Sequence, residues 1–152
     1  MSESAVSRGL SARDIVVSYG KNAPILEGLS LDVLPGELTV IVGPNACGKS
    51  TLLRSLARVL GVRRGVVELD GRSVTDMNQK ALARRLGLLA QSSVAPGDMF
   101  VEDLVARGRY PYQSVLHQWS DEDDEALARA MKDAGVADLV GRRVGELSGG
   151  QR

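Results

Sequence analysis

The stretch that most constrains this chain is Gly43–Thr51, GPNACGKST. It satisfies G-x-x-x-x-G-K-[ST], a spacing that sets glycines, a lysine and a hydroxyl around one tight bend. Gly43 and Gly48 let the backbone turn so that successive N–H groups converge on an anion. Lys49 brings a point charge within reach of the β- and γ-phosphates of a nucleotide. Ser50 offers a hydroxyl oxygen to Mg²⁺. A helix starting here aims its positive end at the same anion. Average residue usage produces such a match about once in 30,000 positions, which makes chance a poor explanation in 152 residues.

The flanks supply the required setting. Leu38–Val42 is a β-branched apolar run that reads as a buried strand. Beyond the loop, Leu52, Leu53, Leu56, Val59 and Leu60 recur at helical spacing. A glycine-rich strand-to-helix turn without a ligand is the competing reading.

The length predicts a single domain, and 43% apolar with 25% charged residues is ordinary for a globular chain. With 19 basic and 19 acidic side chains the formal net charge is zero. That leaves no electrostatic footprint for nucleic acid or an anionic membrane. Cys47 is the one cysteine, so an internal disulfide is ruled out, and a reducing cytosol suits it. It lies inside the phosphate loop, where it reads as a small residue that fits more readily than as a reactive thiol. No apolar run is long enough to span a bilayer. Residues 1–9 are Ser-rich without an apolar segment and are expected to form a flexible tail.

Residues 11–18 and 25–34 read as two strands leading into the phosphate loop, with Pro35-Gly36 as a turn. Such an antiparallel entry suits a mixed sheet. Val66–Leu69 is a third short strand, followed by an Asp70-Gly71 turn. Residues 77–85 look helical, with Lys80, Arg84, Arg85 and the nearby Arg72 as a solvated basic face. Leu86–Ala90 reads as another buried strand, with Gln91 at its C-terminal end, the edge where ligands bind in open α/β sheets. From about residue 95 to 145 the pattern becomes helical. Val101–Arg107 is a short helix, and Ser120 caps a second one that opens DEDDE, with Leu127, Ala130, Met131 and Ala134 as its buried stripe. The chain closes on Leu147-Ser-Gly-Gly-Gln-Arg152, in which a Ser-Gly-Gly run opening a helix would form another anion nest.

Taken together, GPNxxGKST, a glutamine ending a downstream strand, a helical lobe and LSGGQR resemble the ATP-binding cassette (ABC) ATPases, from about residue 10 to the end. The fold this implies is α/β, a P-loop NTPase of ABC type. It has a mixed sheet, an antiparallel N-terminal part and a helical subdomain, and the C-terminal half of the core is expected to be missing. Residues 10–94 would form the β and P-loop part, 95–145 the helical subdomain and 146–152 the start of the signature motif. By resemblance, ATP and Mg²⁺ are the cofactors. Tyr19 corresponds to the aromatic that stacks on adenine. Gly43, Pro44, Asn45, Ala46, Cys47, Gly48, Lys49, Ser50 and Thr51 correspond to the Walker A contacts. Ser50 and Gln91 correspond to the Mg²⁺ ligands, with Gln91 also sensing the γ-phosphate. Ser148, Gly149, Gly150 and Gln151 correspond to the signature that closes over ATP held by a second subunit in a head-to-tail dimer. Ala46 stands where the family usually has glycine. If that position needs a positive φ, alanine costs about 1 kcal/mol of strain.

The lobe VEDLVARGRYPYQSVLHQWSDED, residues 101–123, resembles that of ATPases serving iron(III)-siderophore importers, with haem and cobalamin importers as close relatives. The cue is ARGRYPY followed by Trp119-Ser120-Asp121-Glu122-Asp123. Tyr110, Tyr112 and Trp119 cluster there in a chain with 3% aromatic residues, which favours a docking surface over local core. The implied partners are a second copy of the subunit, transmembrane permease subunits and, indirectly, a substrate-binding protein, with no nucleic acid. The implied location is the cytoplasmic face of the membrane. A non-transport ABC ATPase acting in DNA repair and a non-hydrolysing nucleotide-binding module are the readings of other classes. The short interval from Lys49 to Ser148 leaves no room for coiled-coil arms, and the neutral charge balance disfavours DNA. The family's Walker B aspartate, catalytic glutamate and switch histidine do not follow Arg152, and His117 lies ahead of the signature. The 152 residues alone are therefore expected to lack ATPase turnover and to be prone to aggregation.

Overall fold

The structure is a computed structural model and describes residues 9–89, 95–114 and 119–148. It divides into two compact units, residues 1–88 and 89–152.

The first unit is built on a four-stranded sheet in the order β2-β1-β3-β4. Its strands are β1 (Leu10–Val17), β2 (Leu26–Val33), β3 (Arg64–Leu69) and β4 (Arg72–Ser73). Every pairing is antiparallel. Both N-terminal strands fall within a residue of their expected ends, and the Asp70-Gly71 turn joins β3 to β4. Asp70 (φ 51) and Gly71 (φ 76) are both left-handed, as a two-residue hairpin of this hand demands.

Central strand β1 carries a bulge. The register shifts between Ala12 and Ile15 against β2 and between Arg13 and Val16 against β3. Asp14 has φ 48. The extra residue re-phases the strand, so that Ala12, Ile15 and Val17 all enter the core although 12 and 15 are an odd number of residues apart. Gly65 on β3 makes room for it: a Cβ there would lie 2.3 Å from the Arg13 carbonyl oxygen. The Asp14 amide donates to Ser30 Oγ at 2.9 Å, and its carboxylate pairs with Arg64 at 3.0 Å.

Helix α1 (Lys49–Leu56) adds Leu52 and Leu56 to the core around Ile15 and Val17. It is shorter than the apolar spacing predicts, and Leu53 and Val59 are exposed. Arg58, with φ 56, ends it in a Schellman motif: the Val59 amide donates to the Arg54 carbonyl at 2.8 Å, and the Arg58 amide to Ser55 at 3.1 Å. The Arg58 guanidinium donates to the carbonyls of Val74 (2.9 Å) and Met77 (2.6 Å) and so holds this unusual backbone in place. Helix α2 (Gln79–Ala83) follows, its first turn capped by the Asn78 carboxamide accepting from the Lys80 amide at 2.9 Å.

Two expectations fail here. Leu38–Val42 is not a strand, and Leu38 and Val42 are 91% and 85% exposed. Only Ile41 of that run packs on the core. Leu86–Leu89 is not a strand either, and Leu89 is 93% exposed. An apolar run becomes a buried strand only where neighbours supply ladder hydrogen bonds and cover both faces. β1 to β4 pair among themselves, and none reaches either run. The parallel part of the expected mixed sheet is therefore not formed among the described residues.

The second unit contains α3 (Val101–Ala106), continued by a 3-10 turn at Arg107–Arg109, and α4 (Asp121–Asp133). Val101, Met131, Leu139 and Val144 form its core. On α4 the buried stripe is narrower than expected. Met131 is buried and Leu127 partly so, whereas Ala130 and Ala134 are exposed, and the third inward position is Asp123. Gly135 (φ 68) closes α4 in a second Schellman motif, with the Val136 amide donating to the Met131 carbonyl at 2.9 Å.

Candidate nucleotide-binding site

The phosphate loop folds around its lysine. Lys49 Nζ donates to the carbonyl oxygens of Gly43 (2.8 Å) and Pro44 (2.5 Å) and lies 3.7 Å from Cys47 Sγ. The ammonium is thereby fixed at the centre of the bend rather than free in solvent. Gly48, the N-cap of α1, has φ 96, and a Cβ on it would come within 2.8 Å of Leu26 Cδ2, so only glycine lets the loop lie this close to β2. Ala46 has φ 63, which makes the conditional strain on this alanine real.

The start of α1 is chemically open. No side chain caps Gly48, and no acidic residue occupies the first turn. The first bond along the helix is Leu52 N–H to Gly48 O at 2.8 Å. The amides of Lys49, Ser50 and Thr51 thus have no carbonyl within the helix to bond. Three amides, a helix N-terminus and one ammonium form a donor set with no acidic residue in the helix's first turn, which fits a phosphate. Ser50 is exposed on that turn. Among the described residues no three His, Cys, Asp or Glu side chains gather as a metal site.

Tyr19 is brought to this helix. Its hydroxyl lies 3.5 Å from Thr51 Oγ1 and accepts from Arg54 Nη1 at 3.2 Å. Those two hydrogen bonds, Thr51 first and Arg54 second, hold the phenol pKa below its ordinary value. Arg54 escaped the sequence reading, because an arginine in the second turn of a helix looks like any solvated charge.

In the second unit, Ser148 is exposed. The chain leading to it is pinned by Val144 N–H to Met99 O (2.9 Å) and Gly145 N–H to Gly97 O (2.8 Å). Glu102 accepts from the Gly141 amide at 3.0 Å. Gln91, Gly149, Gly150, Gln151 and His117 lie outside the described residues. Tyr110, Tyr112 and Trp119 are exposed, not core. Arg109 stacks over the Tyr112 ring at 4.1 Å and donates Nε–H to Asp123 at 2.5 Å. Asp123 is 5% exposed, and the Arg109 guanidinium, helped by the hydroxyl and amide of Ser120, holds its carboxyl below the usual range against the effect of burial.

Known proteins resemble this chain in sequence and in fold. The ferric enterobactin transport ATP-binding protein FepC of Escherichia coli (strain K12) is 46% identical over 143 residues, 94% of this chain and 52% of FepC. The petrobactin import ATP-binding protein FpuD of Bacillus anthracis is 42% identical over 147 residues, 97% of this chain and 54% of FpuD. The chain thus spans about half the length of the curated relatives it matches. A solved nucleotide-free ATP-binding cassette from an ABC transporter superposes with TM-score 0.70 at 29% identity, over 93% of this chain and 60% of that one. A protein-family model described as ABC transporter matches residues 26–152, and the chain belongs to the ABC transporter family.

Proposed function

We propose that this chain is the nucleotide-binding part of an ATPase subunit that powers an ABC importer of iron(III)-siderophore complexes. The observation that carries the reading is the loop wrapped around Lys49 at the uncapped start of α1. Lys49 and the amides of Gly48–Thr51 bind the β- and γ-phosphates of ATP. Ser50, with Gln91, offers oxygens to the Mg²⁺ that accompanies them, and Tyr19 stacks on adenine. Mg²⁺, when bound, neutralises phosphate charge. Gln91 reports the γ-phosphate to the permease. Ser148, Gly149, Gly150 and Gln151 close over ATP held by a second copy in a head-to-tail dimer, so that binding draws two subunits together.

The cargo class rests on the relatives named for ferric enterobactin transport and petrobactin import, and on the lobe 101–123. Haem and cobalamin importers are the nearest alternatives. Among the described residues no helix is long and apolar enough to cross a membrane. Attachment to the cytoplasmic face then comes through the permease, and the exposed Tyr110, Tyr112 and Trp119 are its docking side chains.

Titration with a fluorescent ATP analogue tests the nucleotide claim: saturable binding competed by ATP and lost in Lys49→Ala is expected, and equal binding by both proteins would overturn it. Capture by the permease of a siderophore importer, weakened by Tyr110→Ala with Trp119→Ala, tests the partner.

A further inference from the structure

Tyr19 sits at the end of β1, where Asn22 N–H bonds back to the Tyr19 carbonyl at 3.2 Å and the chain turns away. The side chain is held at its far end, by the hydroxyl. Thr51 and Arg54 lie three residues apart on α1 and so share one face. Arg54 Nη1–H donates to the hydroxyl oxygen at 3.2 Å, and that hydroxyl lies 3.5 Å from Thr51 Oγ1, a hydrogen bond in which either hydroxyl can be the donor. The tip of the phenol is thus held by two side chains from one face of α1. Tyr19 is 39% exposed, so part of it remains open to solvent while its tip is anchored.

We propose that Arg54 is a positioning residue for nucleobase recognition, holding the Tyr19 ring in the plane that stacks on the base and tying that ring to the first turn of the phosphate-binding helix. This rests on the reading of Tyr19 as the base platform. Arg54 touches neither base nor phosphate in this role and acts through the phenol. Stacking depends on ring orientation as well as area, so loss of the anchor weakens the base contribution and spares the phosphate contribution.

The test compares ATP with inorganic tripolyphosphate, which carries the phosphates without a base, as competitors of a fluorescent ATP analogue. Arg54→Ala is expected to weaken ATP about fivefold and to leave tripolyphosphate unchanged. Arg54→Lys, which keeps a donor, restores most of the preference for ATP. Tyr19→Phe, which keeps the ring and loses the anchor, behaves like Arg54→Ala, and the double variant is no worse than either single one. In a Tyr110→Phe/Tyr112→Phe background, ultraviolet titration of the remaining phenol shows its midpoint rising on Arg54→Ala, which reports the anchoring contact itself, while the ratio of ATP to tripolyphosphate affinity is the readout that a purely structural role would not move. Equal weakening of both competitors by Arg54→Ala would overturn the inference, as would an unchanged ATP affinity in Arg54→Ala while Tyr19→Ala weakens ATP. If Tyr19→Ala also leaves the ratio of ATP to tripolyphosphate affinity untouched, the platform reading falls and takes this one with it. Lys49→Ala weakens both competitors together and reports the phosphate loop separately.

Discussion

Helices α1 and α4 face the same physical problem and meet it in opposite ways. Each begins with amides that lack partners and with the positive end of a helix dipole. α4 resolves this from its own chain. Asp121, Glu122, Asp123 and Asp124 fill its first turn. Asp123 Oδ2 accepts from both the amide and the hydroxyl of Ser120, each at 3.0 Å. α1 resolves nothing internally: its cap is a left-handed glycine, its first turn holds no acid, and the nearest formal charge is the cation of Lys49. Left open in this way, α1 invites an anion from outside. α4 has been closed, and it serves as scaffold. The presence of a helix N-terminus says little about binding; what the chain itself has placed there decides.

Four substitutions break or sharpen this contrast. Lys49→Ala removes the ammonium held inside the loop and is expected to weaken ATP about 100-fold, as loss of a charge-assisted contact to phosphate, read by isothermal calorimetry. Ser50→Asp gives α1 the kind of acid that α4 carries. Nucleotide affinity should fall about tenfold through repulsion of the phosphates, while thermal stability holds or rises slightly because the acid complements the dipole. A fall in both would contradict the comparison. Asp123→Asn opens the closed helix and should lower the unfolding midpoint of the helical unit at neutral pH without changing nucleotide affinity. The wild-type carboxyl binds its proton less readily folded than unfolded, so its contribution is present above an unfolded pKa of about 3.9 and is lost as pH falls through the lower folded value. Asp123→Asn should flatten that acid limb in circular dichroism melts. The smallest effect belongs to Ala46→Gly, which relieves the φ of 63 and should gain up to about 1 kcal/mol in denaturant unfolding.

Features set by neighbours in sequence were legible in advance. The start of α1 at the Gly48-Lys49 motif, the Asp70-Gly71 turn and the Ser120 start of α4 each depend on a few adjacent residues, and each stands where it was expected. Features set by distant partners were not. Leu38–Val42 has the composition of a buried strand, yet no strand pairs with it among the described residues. Arg58 ends α1 in a conformation that usually announces itself with glycine, and it is held by carbonyls 16 and 19 residues away. The β1 bulge depends on Gly65, 51 residues beyond Asp14, to admit it. At the candidate site the motif alone marks where the loop lies in the chain, whereas Arg54 became visible only once Tyr19 had been placed against α1.

The contrast between open and closed helix starts is tested most directly by following backbone amide resonances while tripolyphosphate or ATP is added. The account predicts saturable shifts at Ala46–Thr51, with the amides of Asp121–Asp124 staying still. Shifts of equal size at both helices, or none at Lys49, Ser50 and Thr51, would contradict it.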